Sequence, residues 1–272
     1  MTFEQVAVGH SRREGARLVA YLESPEERSV LQQLRPTASQ LTFVATFSDL
    51  RTQLTLERSS HFVADVTPRD EQDLVLLGQT VRGIASATFV TFRVRASIGL
   101  ARLLLVVADH LPSARLSLRE VEPISDAAVP GGAVAANGSA YELARALLRG
   151  LTVPTVDLLA LLIVAGHRRF GVDRLSQLSG IPPRTLEWRI KRDTGMTPRA
   201  LIGTIHALHS LWALEVAGKS QKAVAATSGH QSTSSWSSHF RRHLGQSPGS
   251  ALQNGGLSAA LLRVVMQLRN VQ

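Results

Sequence analysis

A segment of the C-terminal half occurs twice, about fifty residues apart, and this repeat restricts the possible folds more than any other feature of the chain. Residues 185–198 read TLEWRIKRDTGMTP and residues 235–248 read SWSSHFRRHLGQSP. The matched positions include Leu186 with Trp236, Ile190 with Phe240, Gly195 with Gly245, and Pro198 with Pro248. Apolar residues at helical spacing in both copies predict two examples of one helical unit.

Each copy has the spacing of a helix-turn-helix. A small residue, Ser176 or Ala225, is followed four positions later by Gly180 or Gly229. The small residue lets two helices approach, and the glycine can take the left-handed conformation of a tight turn. The second helix is then able to lie in a major groove of DNA. Its predicted start signals are Pro182 and Pro183 in the first copy and Ser232 or Thr233 in the second.

The positive charge of the chain is concentrated in this same half. Residues 1–140 hold 14 Arg and 15 acidic residues, a net charge of −1, whereas residues 141–272 hold 16 basic and 6 acidic residues, a net charge of +10. A half this basic predicts a polyanionic partner, either nucleic acid or an anionic membrane surface. The alternative is a cationic surface that serves solubility alone.

With the repeat and the charge in place, residues from about 156 to 251 resemble the DNA-binding domain of the AraC/XylS family of bacterial transcription regulators. The resemblance implies two helix-turn-helix units, joined by a long central helix at about 199–217, with two recognition helices in successive major grooves. The base-facing positions that it implies are Arg184, Glu187 and Trp188 in the first recognition helix and Thr233, Ser234, Ser237 and Ser238 in the second. Further candidate DNA contacts are Thr185, Arg189 and Lys191, and candidate phosphate contacts are Arg192, Lys222, Arg241 and Arg242.

The chain departs from that family at several positions. Trp188 and Ser238 stand where an Arg is common, and the other departures are His206 for an Arg, Gln221 for an aliphatic residue and His230 for an aromatic residue. A bidentate Arg–guanine pair is the commonest specific base contact. We therefore expect Arg184 and Arg189 to compensate in the first unit. The serine-rich second helix either contacts phosphates and thymine or adenine edges, or only braces the first unit.

Metal and thiol chemistry are not expected. The chain has no Cys, which excludes disulfides and thiolate sites and suits a reducing compartment. Six of the nine His lie between residues 167 and 250 without a recognisable ligand spacing, so we predict capping or surface roles for them, no metal and no cofactor. No stretch approaches the roughly 20 apolar residues of a membrane span. We expect a cytoplasmic protein without membrane contact.

The N-terminal part alternates strand and helix patterns and predicts a doubly wound α/β domain with a five-stranded parallel sheet. Strands are expected near 17–22, 41–47, 62–66, 88–94 and 116–121, with helices at 25–34, 73–84 and 97–111. The predicted organisation is an α/β domain at 1–122, a linker at 123–140, an all-α DNA-binding domain at 141–251 that begins with a connecting helix, and an amphipathic tail helix at 252–272.

The order of elements in residues 15–122 is similar to a response-regulator receiver domain. A phosphoryl site of that family needs an acidic pair, a nucleophilic Asp, a hydroxyl and a Lys. The chain offers Glu23, Asp65, Thr91 or Ser97, and Arg119, and it has no Lys before residue 191. We therefore predict a degenerate receiver-like domain that senses or dimerises without phosphorylation. Phosphorylation at Asp65 is the alternative.

These observations predict a transcription regulator rather than an enzyme. The chain contains no G-x-x-x-x-G-K-[ST] loop, no G-x-G-x-x-G and no H-E-x-x-H pattern. The partners we expect are double-stranded DNA, a second copy of the chain, RNA polymerase and a small-molecule effector. The alternatives are an interaction protein that binds nucleic acid non-specifically and a response regulator controlled through Asp65. The tail helix, with Leu257, Leu261, Leu262, Val265 and Met266 on related faces, predicts intramolecular packing or a dimer contact.

Overall fold

The structure is a computed structural model of the 272-residue chain. It divides into two compact units, Met1–Asn137 and Gly138–Gln272, and this division falls within the predicted linker. No helix among the described residues is long and apolar enough to span a membrane. The residues that the structure describes are 17–21, 28–29, 40–46, 48–49, 52–53, 61–65, 89–95, 99–110, 115–119, 135–136, 138–149, 155–166 and 170–269.

The first unit contains a sheet whose strands are rich in Val, Phe and Thr, residues that favour extended structure. Its strands are β1 (Arg17–Tyr21), β2 (Gln40–Phe43), β3 (His61–Asp65), β4 (Phe89–Arg95), β5 (Arg115–Arg119) and β6 (Ala135–Ala136). They lie in the order β2-β1-β3-β4-β5-β6. The pairs among β1 to β5 are parallel, and β6 pairs antiparallel with β5.

One helix of this unit is described in full. Helix α1 (Leu100–His110) begins after Gly99, which has a φ of 91°. Its buried residues are spaced as one face of a helix, and they are Leu100, Ala101, Leu103, Leu104, Val107 and Ala108. The predicted helix at 73–84 lies outside the described residues, as does most of the one at 25–34. The doubly wound arrangement therefore stays a prediction.

The predicted linker contains regular structure at its C-terminal end. Ala135 and Ala136 form β6, and α2 begins at Gly138, whereas 123–134 lie outside the described residues. The run of small residues predicts a loop from composition alone. Backbone pairing does not depend on side-chain size, so composition did not reveal β6.

The second unit is entirely helical among its described residues. Its helices are α2 (Gly138–Leu147), α3 (Val156–Ala165), α4 (Val172–Ser179), α5 (Pro183–Thr194), α6 (Pro198–Glu215), α7 (Gln221–Thr227), α8 (Thr233–Leu244), α9 (Pro248–Gln253) and α10 (Gly256–Arg269). Helix α6 is central, since it contacts α2, α5, α7, α8 and α10. It is buried continuously from Leu201 to Leu211, and α3 is buried from Leu158 to Ala165.

Helix α2 is joined to the central helix by two side-chain hydrogen bonds. Ser139 Oγ lies 2.8 Å from His209 Nδ1, and His209 Nε2 lies 2.8 Å from the carbonyl oxygen of Ile163 in α3. A carbonyl only accepts, so Nε2 carries the proton and Nδ1 accepts from the serine hydroxyl. Nearby, Trp212 Nε1 donates to Glu142 Oε2 at 2.9 Å. These contacts tie the beginning of the unit to its centre.

The tail helix α10 buries a different face from the predicted one. Leu257, Ala260, Val264 and Leu268 are buried, whereas Leu262 and Met266 are 61% and 55% exposed. The predicted set mixed two faces, because several apolar residues in succession leave the helical phase ambiguous. Helix α10 packs against α6, and Glu215 Oε2 at the end of α6 accepts from Leu257 N at 2.6 Å.

Candidate nucleic-acid interface

The second helix of each helix-turn-helix unit is divided into a buried apolar face and an exposed polar face. In α5 the side chains of Leu186 and Ile190 are fully buried. In α8 the fully buried residues are Trp236 and Phe240, with ring centroids 5.7 Å apart. These are the pairs that the repeat matched, so both copies use the same positions for the core.

The residues predicted to contact DNA lie on the opposite faces. Thr185 and Ser237 are half-buried. The other twelve are exposed, and they are Arg184, Glu187, Trp188, Arg189, Lys191, Arg192, Lys222, Thr233, Ser234, Ser238, Arg241 and Arg242. Gln221 is also exposed. The solvent-facing sides of α5 and α8 can therefore approach a ligand without any rearrangement of the core.

The two turns have the backbone conformation that the glycines predicted. Gly180 ends α4 with a φ of 67°, and Gly229 follows α7 with a φ of 78°. In the first turn, Ser176 Oγ donates to the carbonyl oxygen of Ile181 at 2.6 Å. In the second, the backbone N–H of His230 donates to the carbonyl oxygen of Ala225 at 2.9 Å. Both turns are thus closed by a hydrogen bond that begins or ends at the small residue.

We expect Gly180→Ala to lower the free energy of unfolding of the second unit by about 1 kcal/mol, since a left-handed backbone costs an L-residue that much. A Cβ at this position meets no atom within 4 Å, so the loss is conformational rather than steric. Urea denaturation of the two proteins measures it. Gly249→Ala is the matched control, because a Cβ there is equally unobstructed and the backbone is not left-handed. Equal effects of the two substitutions would contradict the explanation.

Helices α5 and α8 begin with the predicted signals. Pro182 is the N-cap residue of α5 and Pro183 is its first residue. In α8 the cap is Ser232, whose hydroxyl accepts from the backbone N–H of Ser235 at 3.1 Å. Thr233 is the first residue of the helix rather than its cap. Each helix ends at a left-handed glycine, Gly195 or Gly245.

Trp188 and Arg192 form a pair on the exposed face of α5. The guanidinium carbon of Arg192 lies 4.4 Å from the centroid of the Trp188 ring, which is a cation–π distance. Arg192 also donates through Nε and Nη2 to the carboxylate of Asp193, the second bond being 2.9 Å long. The Asp193 hydrogen bond raises the pKa of Arg192 above its ordinary value. This arginine therefore differs from the other predicted phosphate contacts, because it holds the 60%-exposed Trp188 ring in place.

The prediction of surface or capping roles for the histidines is wrong for three of them. His206, His209 and His230 are buried, with 2%, 5% and 8% of their surface exposed. His209 bridges α2 and α3, as described above. His206 and His230 lie beside His239, and these residues are a potential ligand set for a metal ion. Sequence spacing could not indicate this group, because its members come from α6, from the turn before α8 and from α8 itself.

His243 lies next to this group on α8. Its ring centroid is 4.5 Å from that of His239, and a Cβ on Gly203 of α6 would collide with its ring. Burial lowers the pKa of His243 below 6.5, and the charge of Arg242 lowers it further. The His243 ring therefore lies against Gly203 in the contact between α8 and α6.

The pattern G-x-S-x-G occurs at residues 245–249, where it does not form a nucleophile elbow. That motif places the serine between a strand and a helix, whereas Gly245 here follows α8. Ser247 is the N-cap residue of α9 and accepts from the backbone N–H of Ser250 at 3.2 Å. The serine therefore has a capping role.

In the first unit, Asp65 is the last residue of β3, paired in register with Arg93 of β4. Strand β3 lies between β1 and β4. Arg119 is the last residue of β5, and Thr91 lies within β4 rather than after it. Glu23 and Ser97 lie outside the described residues. The vestigial phosphoacceptor at Asp65 stays a prediction.

A protein-family model described as a helix-turn-helix domain matches residues 175–254. The match runs from α4 to the end of α9 and so includes both helix-turn-helix units. It confirms the predicted helix-turn-helix architecture of this region. No curated protein matches the chain. Among solved structures, the chain is similar to a xylose-binding transcription activator, with 16% sequence identity and a TM-score of 0.35 over 91% of this chain and 73% of that one.

Proposed function

We propose that the chain is a sequence-specific, DNA-binding transcription regulator that reads two neighbouring major grooves through α5 and α8. The observation that carries the proposal is the two-faced character of these helices. Each fixes its apolar face in the core and exposes the polar and basic residues at the predicted contact positions. The family match to residues 175–254 supports the same function. The function is binding rather than turnover.

The first helix-turn-helix unit is proposed to supply most of the base discrimination. Arg184 and Arg189 are exposed on α5 and can form bidentate pairs with guanine. The exposed Trp188 ring, supported by Arg192, offers an apolar surface to a thymine methyl group. Glu187 can accept from the amino group of cytosine.

The second helix-turn-helix unit is proposed to act through short polar side chains and through charge. The hydroxyls of Thr233, Ser234 and Ser238 are exposed on α8 and can reach phosphates or thymine and adenine edges. The exposed cations of this unit are suited to phosphates, and they are Lys222, Arg241 and Arg242. Helix α6 has 18 residues and so spans about 27 Å, a length of the order of one DNA turn of about 34 Å.

The N-terminal unit is proposed to regulate or dimerise the protein, with a second copy of the chain, RNA polymerase and a small-molecule effector as partners. The second candidate function is non-specific binding of nucleic acid. The observation that favours it is the absence of Arg from the predicted base-facing positions of α8, which are all Ser or Thr.

One experiment distinguishes specific from non-specific binding. Genomic fragments are selected with the full-length protein at about 150 mM salt, and affinity for the enriched site is compared with affinity for scrambled DNA across a salt series. We expect a motif with two half-sites about one helical turn apart, preferred by about 10³-fold or more. A set of fragments that all bind alike, with affinity that collapses as salt rises, would establish the non-specific function instead.

A further inference from the structure

Three histidine side chains converge between α6 and the second helix-turn-helix unit, and we propose that they bind a transition-metal ion such as Zn²⁺. The group, called the histidine cluster below, consists of His206 on α6, His230 in the turn before α8 and His239 on α8. One ring nitrogen from each residue lies within 4.8 Å of the others. The proposal does not depend on the proposed DNA-binding function.

The distances are close to those of a metal site. The centroids of the three rings are 5.6, 5.2 and 5.1 Å apart, so the rings form a nearly equilateral triangle. His206 Nδ1 lies 3.2 Å from His239 Nε2. A tetrahedral zinc with Zn–N bonds of 2.0–2.1 Å sets neighbouring nitrogens about 3.3 Å apart. That pair already has the required separation, and the His230 ring nitrogen lies within 4.8 Å of both.

The environment selects the class of ion. His206 and His230 are buried and His239 is half-buried, so two ligands are shielded from water and the third leaves access from solvent. Three imidazole nitrogens suit Zn²⁺, Co²⁺, Ni²⁺ and Cu²⁺, whereas Mg²⁺ and Ca²⁺ prefer oxygen ligands. The solvent-facing side leaves a fourth position for water or another small ligand.

The cluster connects elements that are far apart in the chain. His206 belongs to the central helix α6, and His230 and His239 belong to the turn and the second helix of the second helix-turn-helix unit. A bound ion would therefore fasten α8 to α6 directly. Because a ligand that binds only the folded state stabilises it, zinc should raise the melting temperature of the second unit.

Untagged, full-length protein, first dialysed against chelator, is titrated with ZnCl₂ by calorimetry and then with CoCl₂, NiCl₂ and MgCl₂. We expect one Zn²⁺ per chain, binding of Co²⁺ with the visible absorption of low-symmetry imidazole-bound cobalt, and no binding of Mg²⁺. The affinity should fall as the pH is lowered, because protons compete with the metal ion for the imidazole nitrogens. The imidazole nitrogen NMR signals of three histidines should shift on addition of Zn²⁺.

The test variants are His239→Gln and His206→Gln, and the matched control is His110→Gln, a histidine at the end of α1 in the N-terminal unit and outside the ligand set. Each test variant should bind Zn²⁺ at least about 100-fold more weakly, since loss of a second-shell partner alone costs up to that much. The control should retain wild-type affinity. Circular dichroism verifies folding, and the NMR measurement on wild-type protein tests the assignment should a variant fail to fold.

Three results would overturn the proposal. Zinc that fails to bind wild-type protein at pH 7.5, or that binds with equal affinity to wild type and both test variants, shows that the histidine cluster is only a hydrogen-bonded packing arrangement. Zinc-dependent NMR shifts confined to other histidines lead to the same conclusion.

Discussion

Replacement of Trp236 by alanine should lower the free energy of unfolding of the helical unit by about 3–5 kcal/mol, the usual cost of truncating a buried aromatic residue. The Trp236 side chain is fully buried in α8 and packs on Phe240. Helix α8 in turn packs against α6, the helix that most of the second unit contacts. The cavity would therefore open beside the contact between α8 and the central helix α6.

Tryptophan fluorescence makes this measurement specific to the second unit. The chain has three tryptophans, Trp188, Trp212 and Trp236, and all belong to that unit. Urea titration followed by the fluorescence of the two that remain in Trp236→Ala therefore reports on the helical unit in the intact protein. A separate transition of the N-terminal unit would not enter the signal, so a two-state fit is justified for this probe.

Trp236→Phe is the matched variant. Trp236 Nε1 makes no hydrogen bond among the described residues, so phenylalanine removes volume without removing a polar contact. We expect a loss clearly smaller than that of Trp236→Ala, because phenylalanine leaves a smaller cavity. Similar losses for the two variants, or a loss below about 1 kcal/mol for alanine, would show that the Trp236 ring is not part of the core.

Arg184→Ala should weaken binding to the selected DNA site by about 5- to 150-fold, which corresponds to the roughly 1–3 kcal/mol of a bidentate base contact. Arg184 is exposed in the first turn of α5, so the substitution leaves the core unchanged. Fluorescence anisotropy with labelled duplexes measures the affinity. Binding to scrambled DNA should change little, since the lost contact reads a base.

Two matched variants locate the effect. Arg263→Ala removes an exposed arginine from α10, outside both helix-turn-helix units, and should leave affinity unchanged. Lys222→Ala removes a proposed phosphate contact, and should weaken binding to specific and scrambled DNA equally and reduce the salt slope by about 1. Equal losses on both DNAs for Arg184→Ala would reassign this residue to phosphate contact.

The helix-turn-helix units were predictable because their signals are local. Turn glycines, cap residues and apolar spacing act within one or two helical turns, and the repeat displays each of them twice. Leu186 and Trp236 could thus be recognised as equivalent positions of the repeat, and Trp188 could be placed on the exposed face. Strands β1 to β5 were located to within a few residues, because strand residues also follow a local pattern.

Contacts between distant segments were not predictable. The members of the histidine cluster are separated by 24 and 9 residues in a chain that carries nine His, and no local pattern distinguishes them. The pairing of Arg192 with Asp193 was missed for another reason. Any arginine on a recognition helix suggests a phosphate contact, and only the burial of Asp193 shows that this charge is already compensated.

The side-chain hydrogen bonds between α2 and the central helix determine where the helical unit should be joined to another protein in a chimera. Ser139 and Glu142, which bind His209 and Trp212, directly follow the boundary at Gly138. The portable module is thus longer than the family match, which begins at Leu175. A chimera joined at residue 175 would lack the α2 hydrogen bonds. One joined at residue 138 would keep both helix-turn-helix units together with these stabilising contacts.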